Sequence, residues 1–469
     1  MPSGQQSGQQ VEVDEHEQIV ERVAAIDVAK ASGMVCTRVP NPAKAGKRIT
    51  TVWQVSSMTN QILELAEQLA GQGIERVVVE STSDYWRPFV YLLEARGLVV
   101  WLVNARDVKH LPGRPKTDKL DAVWLCKLNE RGMLRPSFVP PAPIRRLRED
   151  TRLRADLTQE RSRHKQRLEK LLEDALIKLS TVATDLFGVS GRAMLEALIA
   201  GQRDPRVLAE LARGRLRVKH AALVEALTGQ FCDHHGVIAR MLLDQIDALS
   251  GQIERLTARI EQTIAQIPAA QPPAGGLGGG AAATGQAGPG HTEPVDPQTG
   301  EILAAALLPA VDRLDEVAGI GRHAAQVIIA EVGLDMAQFP TPGQLVSWAR
   351  LSPRTIQSGA TRRAGATGHG NPYLKAALGE AATAAAKTNT FLGERYRRLV
   401  RRIGKLKALV AIARSILVIV WHLLADPAAR FHDLGADYHA SRIDTTRKTR
   451  NLVRQLEALG HKVTLQPAA

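Results

Sequence analysis

Short apolar runs alternate with amphipathic segments through the first third of the chain, and this order restricts the fold more than any other feature. The runs at 23–28, 34–39 and 49–55 predict three strands in succession. The elements expected after them are a helix with Ile62, Leu65, Ala66 and Leu69 on one face, a strand at 76–80, a helix at 85–95, a strand at 98–103 and a helix at 117–131. Three strands followed by alternating helices and strands predict an α/β domain with a mixed sheet.

Four carboxylates lie at the ends of predicted strands or on one face of a predicted helix. Asp27 and Glu80 each close an apolar run, and Asp118 and Asp121 share one face of the last predicted helix. Crowded carboxylates repel one another unless a cation lies among them, and hard oxygen ligands suit Mg²⁺ or Mn²⁺. The set therefore predicts a two-metal site for phosphodiester chemistry. The alternative is that each acid only solvates the surface.

The charge of the chain indicates the kind of partner. Lys and Arg number 61 against 48 Asp and Glu, which gives a formal charge of +13. DNA or another polyanion fits this balance, because neutralised phosphates release counterions. A merely soluble basic protein is the alternative.

Cysteine use and apolar stretches predict where the protein works. Cys36, Cys126 and Cys232 are too widely spaced for a disulfide framework or a CxxC zinc site, which fits a reducing cytoplasm and association with the nucleoid. The polar N-terminus lacks the features of a signal peptide. The apolar stretch 408–425 contains Arg414 and His422, so we expect a buried helix there and no membrane span.

The chain is expected to divide into six segments. These are a disordered lead at 1–21, the α/β catalytic domain at 22–143, a coiled-coil hairpin with a helical cap at 144–270, a Gly/Pro-rich linker at 271–301, a mainly α-helical domain at 302–425 and a tail at 426–469. The first hairpin helix has a predicted seam of Leu153, Leu157, His164, Leu168, Leu171 and Ala175. The second has heptad spacing from Leu242 to Ile267, which leaves an antiparallel and an intermolecular coiled coil both open.

Four segments are candidates for contact with a nucleic-acid backbone. One lies between the acids, where the substrate must be held for attack. The segment 314–331 is typical of a helix-hairpin-helix, in which glycines present backbone N–H groups to a phosphate. The others are a polar, Gly-rich loop at 351–371 and a strongly basic helix at 395–407. The candidate residues are Arg106, Lys109, Arg114, Lys116, Gly319, Gly321, Arg354, Arg362, Arg363, His369, Arg398 and Arg402. A solvated surface is the alternative for each segment.

Several motifs together resemble the DEDD-type insertion-sequence transposases, also called bridge recombinases, whose relatives include pilin-gene invertases. They are Ala-Ile-Asp-Val-Ala-Lys at 25–30, Val-Glu-Ser-Thr-Ser-Asp-Tyr-Trp at 79–86, Leu-Val-Asn-Ala-Arg at 102–106, Gly-Arg-Pro-Lys-Thr-Asp-Lys-Leu-Asp-Ala at 113–122, Leu-Arg-Pro-Ser-Phe at 134–138 and Ile-Gln-Ser-Gly at 356–359. The resemblance extends from Ala24 to about Ala425. It implies a ribonuclease H-like (RuvC-like) N-terminal domain, a coiled coil for dimerisation and a C-terminal transposase domain.

The resemblance also implies roles for individual residues. Asp27, Glu80, Asp118 and Asp121 would bind Mg²⁺ or Mn²⁺, and Ser358 would attack DNA and become linked to the cut strand. Members of the family act as dimers that pair into tetramers, and some use a structured guide RNA. The chain departs from the family pattern in its long linker and in the stretch 368–375, which bears on domain spacing and target choice.

Two other functions compete with a transposase or site-specific recombinase. One is a junction-resolving endonuclease with the same acids, in which water is the nucleophile and no protein–DNA adduct forms. The other is a non-catalytic scaffold that binds nucleic acid and keeps the fold. A serine-dependent adduct favours the recombinase over both.

Overall fold

The structure is a computed structural model that describes residues 20–44, 46–81, 83–104, 118–272, 307–353, 355–359, 361–365, 367–442 and 445–466. The chain divides into two compact units, Met1–Val139 and Pro140–Ala469. The predicted lead and linker lie almost entirely outside the described residues, and the finer division into six segments stays a prediction.

The first unit contains a five-stranded mixed sheet. Its elements are β1 (Val23–Val28), β2 (Ser32–Pro40), β3 (Arg48–Ser56), α1 (Thr59–Gly71), β4 (Arg76–Ser81), α2 (Trp86–Ala95), β5 (Val100–Asn104) and α3 (Asp118–Glu130). The strand order is β3-β2-β1-β4-β5. Strands β1, β2 and β3 are antiparallel, whereas β4 pairs parallel with β1 and with β5. The mixed sheet with helices is confirmed.

The two faces of the sheet have separate apolar cores. Ala24, Ile26 and Val79 belong to the core on the side of α1 and α2. Ala25 and Val78 belong to the core that α3 covers. Alternate residues of a strand point to opposite faces, so β1 is buried on both sides and reads as a continuous apolar run.

The second unit begins with a long helical hairpin. Helices α4 (Ala142–Asp174) and α9 (Asp233–Ala265) have 33 residues each, which corresponds to about 50 Å. Asp150 contacts Arg259, Arg161 contacts Ser250, and Asp174 contacts His235, so the two helices pack antiparallel within one chain. Short helices cap the closed end: α5 (Leu179–Val182), α6 (Val189–Ile199), α7 (Pro205–Glu210) and α8 (His220–Leu227).

The predicted seam of α4 is wrong at Leu153. Leu153 is 48% exposed, whereas Leu147, Thr151 and Arg154 are buried. The apolar spacing could not reveal this, because part of the partner surface is polar: Arg154 donates a hydrogen bond to Gln326 at 2.8 Å. The second half, with Leu168 and Ala175 buried, follows the prediction.

The remainder of the second unit is mostly helical, as expected. It contains α10 (Ala310–Asp315), α11 (Arg322–Val332), α12 (Pro342–Trp348), the strands β6 (Thr355–Ser358) and β7 (Thr361–Ala364), α13 (Pro372–Ala385), α14 (Phe391–Ile403), α15 (Lys405–Ala425), α16 (Tyr438–Ser441) and α17 (Thr445–Ala458). Within the described residues, α15 alone is long and apolar enough to cross a membrane. Its residues Ile412, Ile416 and Val420 are buried in the protein core.

A buried carboxylate fastens α11 and α13 to α4. Glu331 is fully buried and accepts two parallel hydrogen bonds from Arg152, at 2.7 and 2.8 Å. Arg148 donates to the carbonyl oxygens of Ala330 and Glu331 at the end of α11, where helix carbonyls lack partners. Asn371, the N-cap of α13, donates to the same carboxylate at 2.5 Å. The ion pair with Glu331 raises the pKa of Arg152.

The change Glu331→Gln should destabilise the second unit. Loss of the charge leaves Arg148 and Arg152 without their carboxylate in a largely desolvated site, which costs roughly 2–3 kcal/mol. A thermal melt of the full chain should show the transition of this unit lowered by roughly 5–10 °C. The exposed Glu380→Gln is the matched control on α13. Equal melting temperatures for the two variants would contradict the prediction.

Candidate active site and nucleic-acid interface

Two of the predicted acids are direct neighbours across the centre of the sheet. Asp27 of β1 is the register partner of Glu80 in β4. Their Cα atoms are therefore about 4.8 Å apart in the hydrogen-bonding direction, and their side chains leave the same face. Glu80 is only 3% exposed, and Asp27 is half-buried. Both stand at the carboxyl ends of their strands, where the apolar core gives way to solvent.

Helix α3 covers this face and carries the other two acids. Its residues Ala122 and Leu125 pack in the same core as Ala25 and Val78. Asp121 is half-buried and precedes Ala122, and Asp118 is the first residue of the helix. The side chain of Asp118 lies outside the described part of the structure.

The direction of α3 brings its acid-bearing end toward Asp27 and Glu80. Asn129, near the end of the helix, contacts the carbonyl oxygens of Ala24 and Arg76 at the start of β1 and β4. From Asn129 back to Asp121 is about 12 Å along the helix, and from Ala24 to Asp27 is about 10 Å along the strand. The two lengths match, so Asp121 lies near the level of the paired acids.

A polar clamp holds α3 in this position. Asn129 is fully buried, and its side-chain amide donates to Ala24 O at 3.0 Å and to Arg76 O at 3.2 Å. Its oxygen accepts from Arg76 Nε at 2.6 Å. The Arg76 guanidinium lies over the ring of Trp101 at 4.0 Å, and burial lowers its pKa. Sequence reasoning missed Asn129, because a single Asn in a helix carries no signal of its own.

The carboxylate oxygens of these acids are chemically suited to a hard divalent cation. Asp27, Glu80 and Asp121 offer only carboxylate oxygens, the ligands that Mg²⁺ and Mn²⁺ favour. Glu80 Oε2 is buried beside the register partner Asp27. Among the described residues, no three His, Cys, Asp or Glu side chains form a group that could hold a metal ion. A site for two ions needs Asp118, so the quartet stays a prediction.

The turn before α11 shows different surroundings for its two glycines. Gly319 has a positive φ of 94°, and a Cβ atom there would lie 2.2 Å from the carbonyl oxygen of Ala381 in α13. Packing therefore requires glycine at this position, whatever its role toward DNA. Gly321 is the N-cap of α11 and is exposed, and a Cβ atom there would meet no atom within 4 Å. The turn is therefore open to solvent at Gly321.

The serine segment forms a hairpin, where the sequence indicated a loop. Strands β6 and β7 are antiparallel, and Ser358 pairs with Thr361 at the end of the ladder. Gly359 follows with a φ of 55°, which suits the tight two-residue turns of hairpins. All hairpin residues whose exposure is described are exposed, namely Ile356, Gln357, Gly359, Thr361 and Arg363. The nucleophile predicted from the family resemblance thus stands at the tip of an exposed arm.

Helix α14 presents the strongest basic face of the C-terminal region. Arg398 and Arg402 are exposed one turn apart and line a small pocket with Arg395. Arg397 has protein partners, since it donates to Glu394 at 2.9 Å and to the carbonyl oxygen of Thr388 at 3.2 Å. The arginines of this helix therefore differ: Arg398 and Arg402 are exposed, whereas Arg397 is hydrogen-bonded within the protein.

Several predicted nucleic-acid contacts cannot be placed. Arg106, Lys109, Arg114, Lys116 and Arg354 lie outside the described residues, as does the side chain of Arg362. Arg363 and His369 are exposed. Lys462 to Leu465, in the C-terminal tail, is irregular.

Two family models match the chain. Residues 24–177 match the IS110-type DEDD transposase model, described as a transposase. Residues 311–397 match the model described as transposase of the IS116/IS110/IS902 family. The first range contains Asp27, Glu80, Asp118 and Asp121, and the second contains Ser358. No curated protein matches the chain. The chain belongs to the IS110-type transposases, enzymes that recombine DNA.

Replacement of the clamp residue should loosen α3. Asn129→Leu keeps the volume of the side chain but removes the donor to two strand carbonyl oxygens and the acceptor of Arg76 Nε, at a cost of roughly 2 kcal/mol or more. Hydrogen exchange followed by mass spectrometry should show the amides of α3 exchanging at least about tenfold faster. The exposed Asn60→Leu is the control. Unchanged protection of α3 in Asn129→Leu would contradict the clamp.

Proposed function

We propose that this transposase cuts and exchanges DNA strands with divalent metal ions and a serine–DNA covalent intermediate. The observation that carries the proposal is the register of β1 and β4, which pairs Asp27 with Glu80 on the face covered by the acid-bearing helix α3. We assign the first unit to the ribonuclease H-like (RuvC-like) fold. Its strand order and its acids at the first strand, the fourth strand and the last described helix support that assignment.

In this proposal, Asp27, Glu80, Asp118 and Asp121 hold Mg²⁺ or Mn²⁺. Bound ions there would neutralise charge on the scissile phosphate and favour the serine alkoxide. Burial of Glu80 beside Asp27 supports the assignment, because two carboxylates so close in a sparsely hydrated place are tolerated best around a cation.

Ser358 supplies the nucleophile. Its Oγ attacks the phosphorus, a serine–phosphate ester forms, and the bond to the departing deoxyribose oxygen breaks. The serine hydroxyl gives up its proton and the departing oxygen takes up one, so that oxygen leaves as a hydroxyl group. Attack by another strand's hydroxyl reverses the step and rejoins DNA. One phosphodiester is exchanged for another, so strand exchange needs no external energy source. The position of Ser358 next to Gly359 at the hairpin tip supports the role.

The proposal includes nucleic-acid contacts by the basic segments. Gly321, Arg363, Arg398 and Arg402 are all exposed, as contact with a backbone requires. Arg106, Lys109, Arg114, Lys116, Gly319, Arg354 and Arg362 complete the proposed set. The charge of +13 suits DNA and a structured guide RNA alike.

We also propose that the protein assembles as a dimer that pairs into a tetramer. Leu157, Ile253 and Leu256, near the middle of the helical hairpin, are only half-buried in one chain. A second copy packed along α4 and α9 would bury this apolar surface further.

The serine is tested by trapping on DNA. With a nicked suicide substrate that carries an element end, the wild-type chain should form a covalent adduct that survives denaturing electrophoresis, and Ser358→Ala should form none. Thr361→Ala, which removes the hydroxyl directly opposite in the hairpin, should still form the adduct. Cleavage by Ser358→Ala at the wild-type rate would favour a junction-resolving endonuclease that uses water.

The acids are tested by Asp27→Asn. Loss of one carboxylate should reduce adduct formation at saturating Mg²⁺ by at least about a thousandfold, because phosphate charge is no longer neutralised. Binding of the uncut DNA should persist, and circular dichroism should show an intact fold. The exposed Asp244→Asn is the matched control. Wild-type adduct formation by Asp27→Asn would remove the acid from the catalytic set.

A further inference from the structure

A small pocket lies on the basic face of α14. Its lining consists of Arg395, Arg398, Leu399 and Arg402, and its volume is about 120 Å³. The three arginines are spaced three and four residues apart, so they rise from one side of the helix. Such a concentration of guanidinium groups is costly without a negative partner, since like charges on neighbouring turns repel.

Two nitrogen atoms, one on a residue that lines this pocket and one on the neighbouring helix α16, are buried without a hydrogen bond. Arg395 Nε is buried and has no hydrogen-bond partner among the described residues, and the same is true of His439 Nε2. His439, from α16, stacks on the ring of Phe391 in the first turn of α14, with the ring centroids 4.8 Å apart. A buried polar atom without a partner costs roughly 1–3 kcal/mol, and native proteins keep few of them. A ligand that accepts hydrogen bonds would remove this cost.

The electrostatic surroundings of both side chains are positive. Burial lowers the pKa of Arg395, and the charges of Arg398 and of Arg414 on α15 lower it further. Burial also lowers the pKa of His439, with Arg398 and Arg395 as additional causes. Glu394 opposes this effect on His439, but its carboxylate is hydrogen-bonded to Arg397. Among the described residues, positive charge therefore exceeds negative charge here, and Glu394 offsets only part of it.

We propose that Arg395, Arg398, Arg402 and His439 form a socket for one phosphate group. Several fixed N–H donors around a small space suit a tetrahedral oxyanion, and guanidinium forks bind phosphate oxygens in pairs. The inference deepens the proposed function, on which it rests for the source of the phosphate, a nucleic-acid backbone. Inorganic phosphate has the same chemistry and is the probe that reveals the socket itself. His439 is then a binding residue that the sequence did not indicate.

The socket is tested by calorimetric titration of the full chain with inorganic phosphate at low salt, without DNA or divalent metal. Arg398→Gln should weaken phosphate binding roughly tenfold or more, the effect of losing charge-assisted hydrogen bonds. Arg398 is exposed, so the variant should keep its fold. Arg401→Gln is the matched control, because it removes the same charge from an exposed position on the same helix outside the pocket.

The outcomes separate a built socket from a diffuse basic surface. A large loss in Arg398→Gln with less than about a twofold change in Arg401→Gln supports the socket. Equal losses in both variants, or no saturable binding by the wild-type chain, would overturn it. His439→Leu provides a second variant without a change of arginine charge, and it should also weaken binding.

A competition experiment identifies the source of the phosphate. A short oligonucleotide that displaces inorganic phosphate from the wild-type chain, but not from a chain with Arg398→Gln, supports a nucleic-acid backbone as the occupant. Binding of both without competition would overturn the backbone as the source. These titrations involve neither Ser358 nor the proposed metal-binding acids. A failure to detect phosphate binding would therefore not contradict the proposed chemistry, and a failure to detect the covalent adduct would not contradict the socket.

Discussion

The parallel pairing of β1 with β4 is the contact from which both the fold and the candidate site of the first unit follow. It lies at the centre of a five-stranded sheet, with antiparallel strands on one side and a further parallel strand on the other. Because the register is fixed, Asp27 and Glu80 must emerge side by side. A slip of one residue would turn one acid into the opposite core, so apolar packing on both faces enforces the alignment. The stability of the sheet thereby holds two like charges close together.

Buried polar residues fix the positions of helices in this protein, which apolar packing alone does not do. Apolar contacts are non-directional and tolerate small sliding motions, whereas hydrogen bonds fix a register. Asn129 fixes α3 against the starts of β1 and β4. Glu331 fixes the ends of α11 and α13 against α4. In each case one fully buried polar residue satisfies several groups at once, so the desolvation cost is met by multiple partners.

The extent to which sequence predicts this structure differs between elements. The strand Val23–Val28 and the helix with Ile62 and Leu69 followed from periodicity, because their partners are apolar on the expected faces. The seam of α4 was wrong at Leu153, because the surface opposite the first half of that helix is partly polar. Pattern could not predict the hairpin at Ser358, since its exposed polar strands have no alternation of apolar residues.

The residues of the candidate site also differ in whether the sequence indicated them. The sequence indicated Asp27 and Glu80 because each ends an apolar run. The parallel pairing of β1 with β4 then places the two acids side by side. The sequence contained no sign of Asn129 or His439, whose importance arises only from groups that are distant along the chain. A buried polar residue is defined by its partners, and these are set by tertiary structure.

The exposed hairpin at Ser358 has a physical consequence for a recombinase. Two strands of four residues bury little surface, and an isolated hairpin of this size is only marginally stable in water. In the proposed function, contact with a DNA backbone would add interactions to this hairpin, so its stability and the capture of the substrate would be coupled. In the proposed function, a serine carried on such a hairpin would be held in line for attack mainly when DNA is bound. Such coupling would limit reaction of the proposed nucleophile in the absence of DNA.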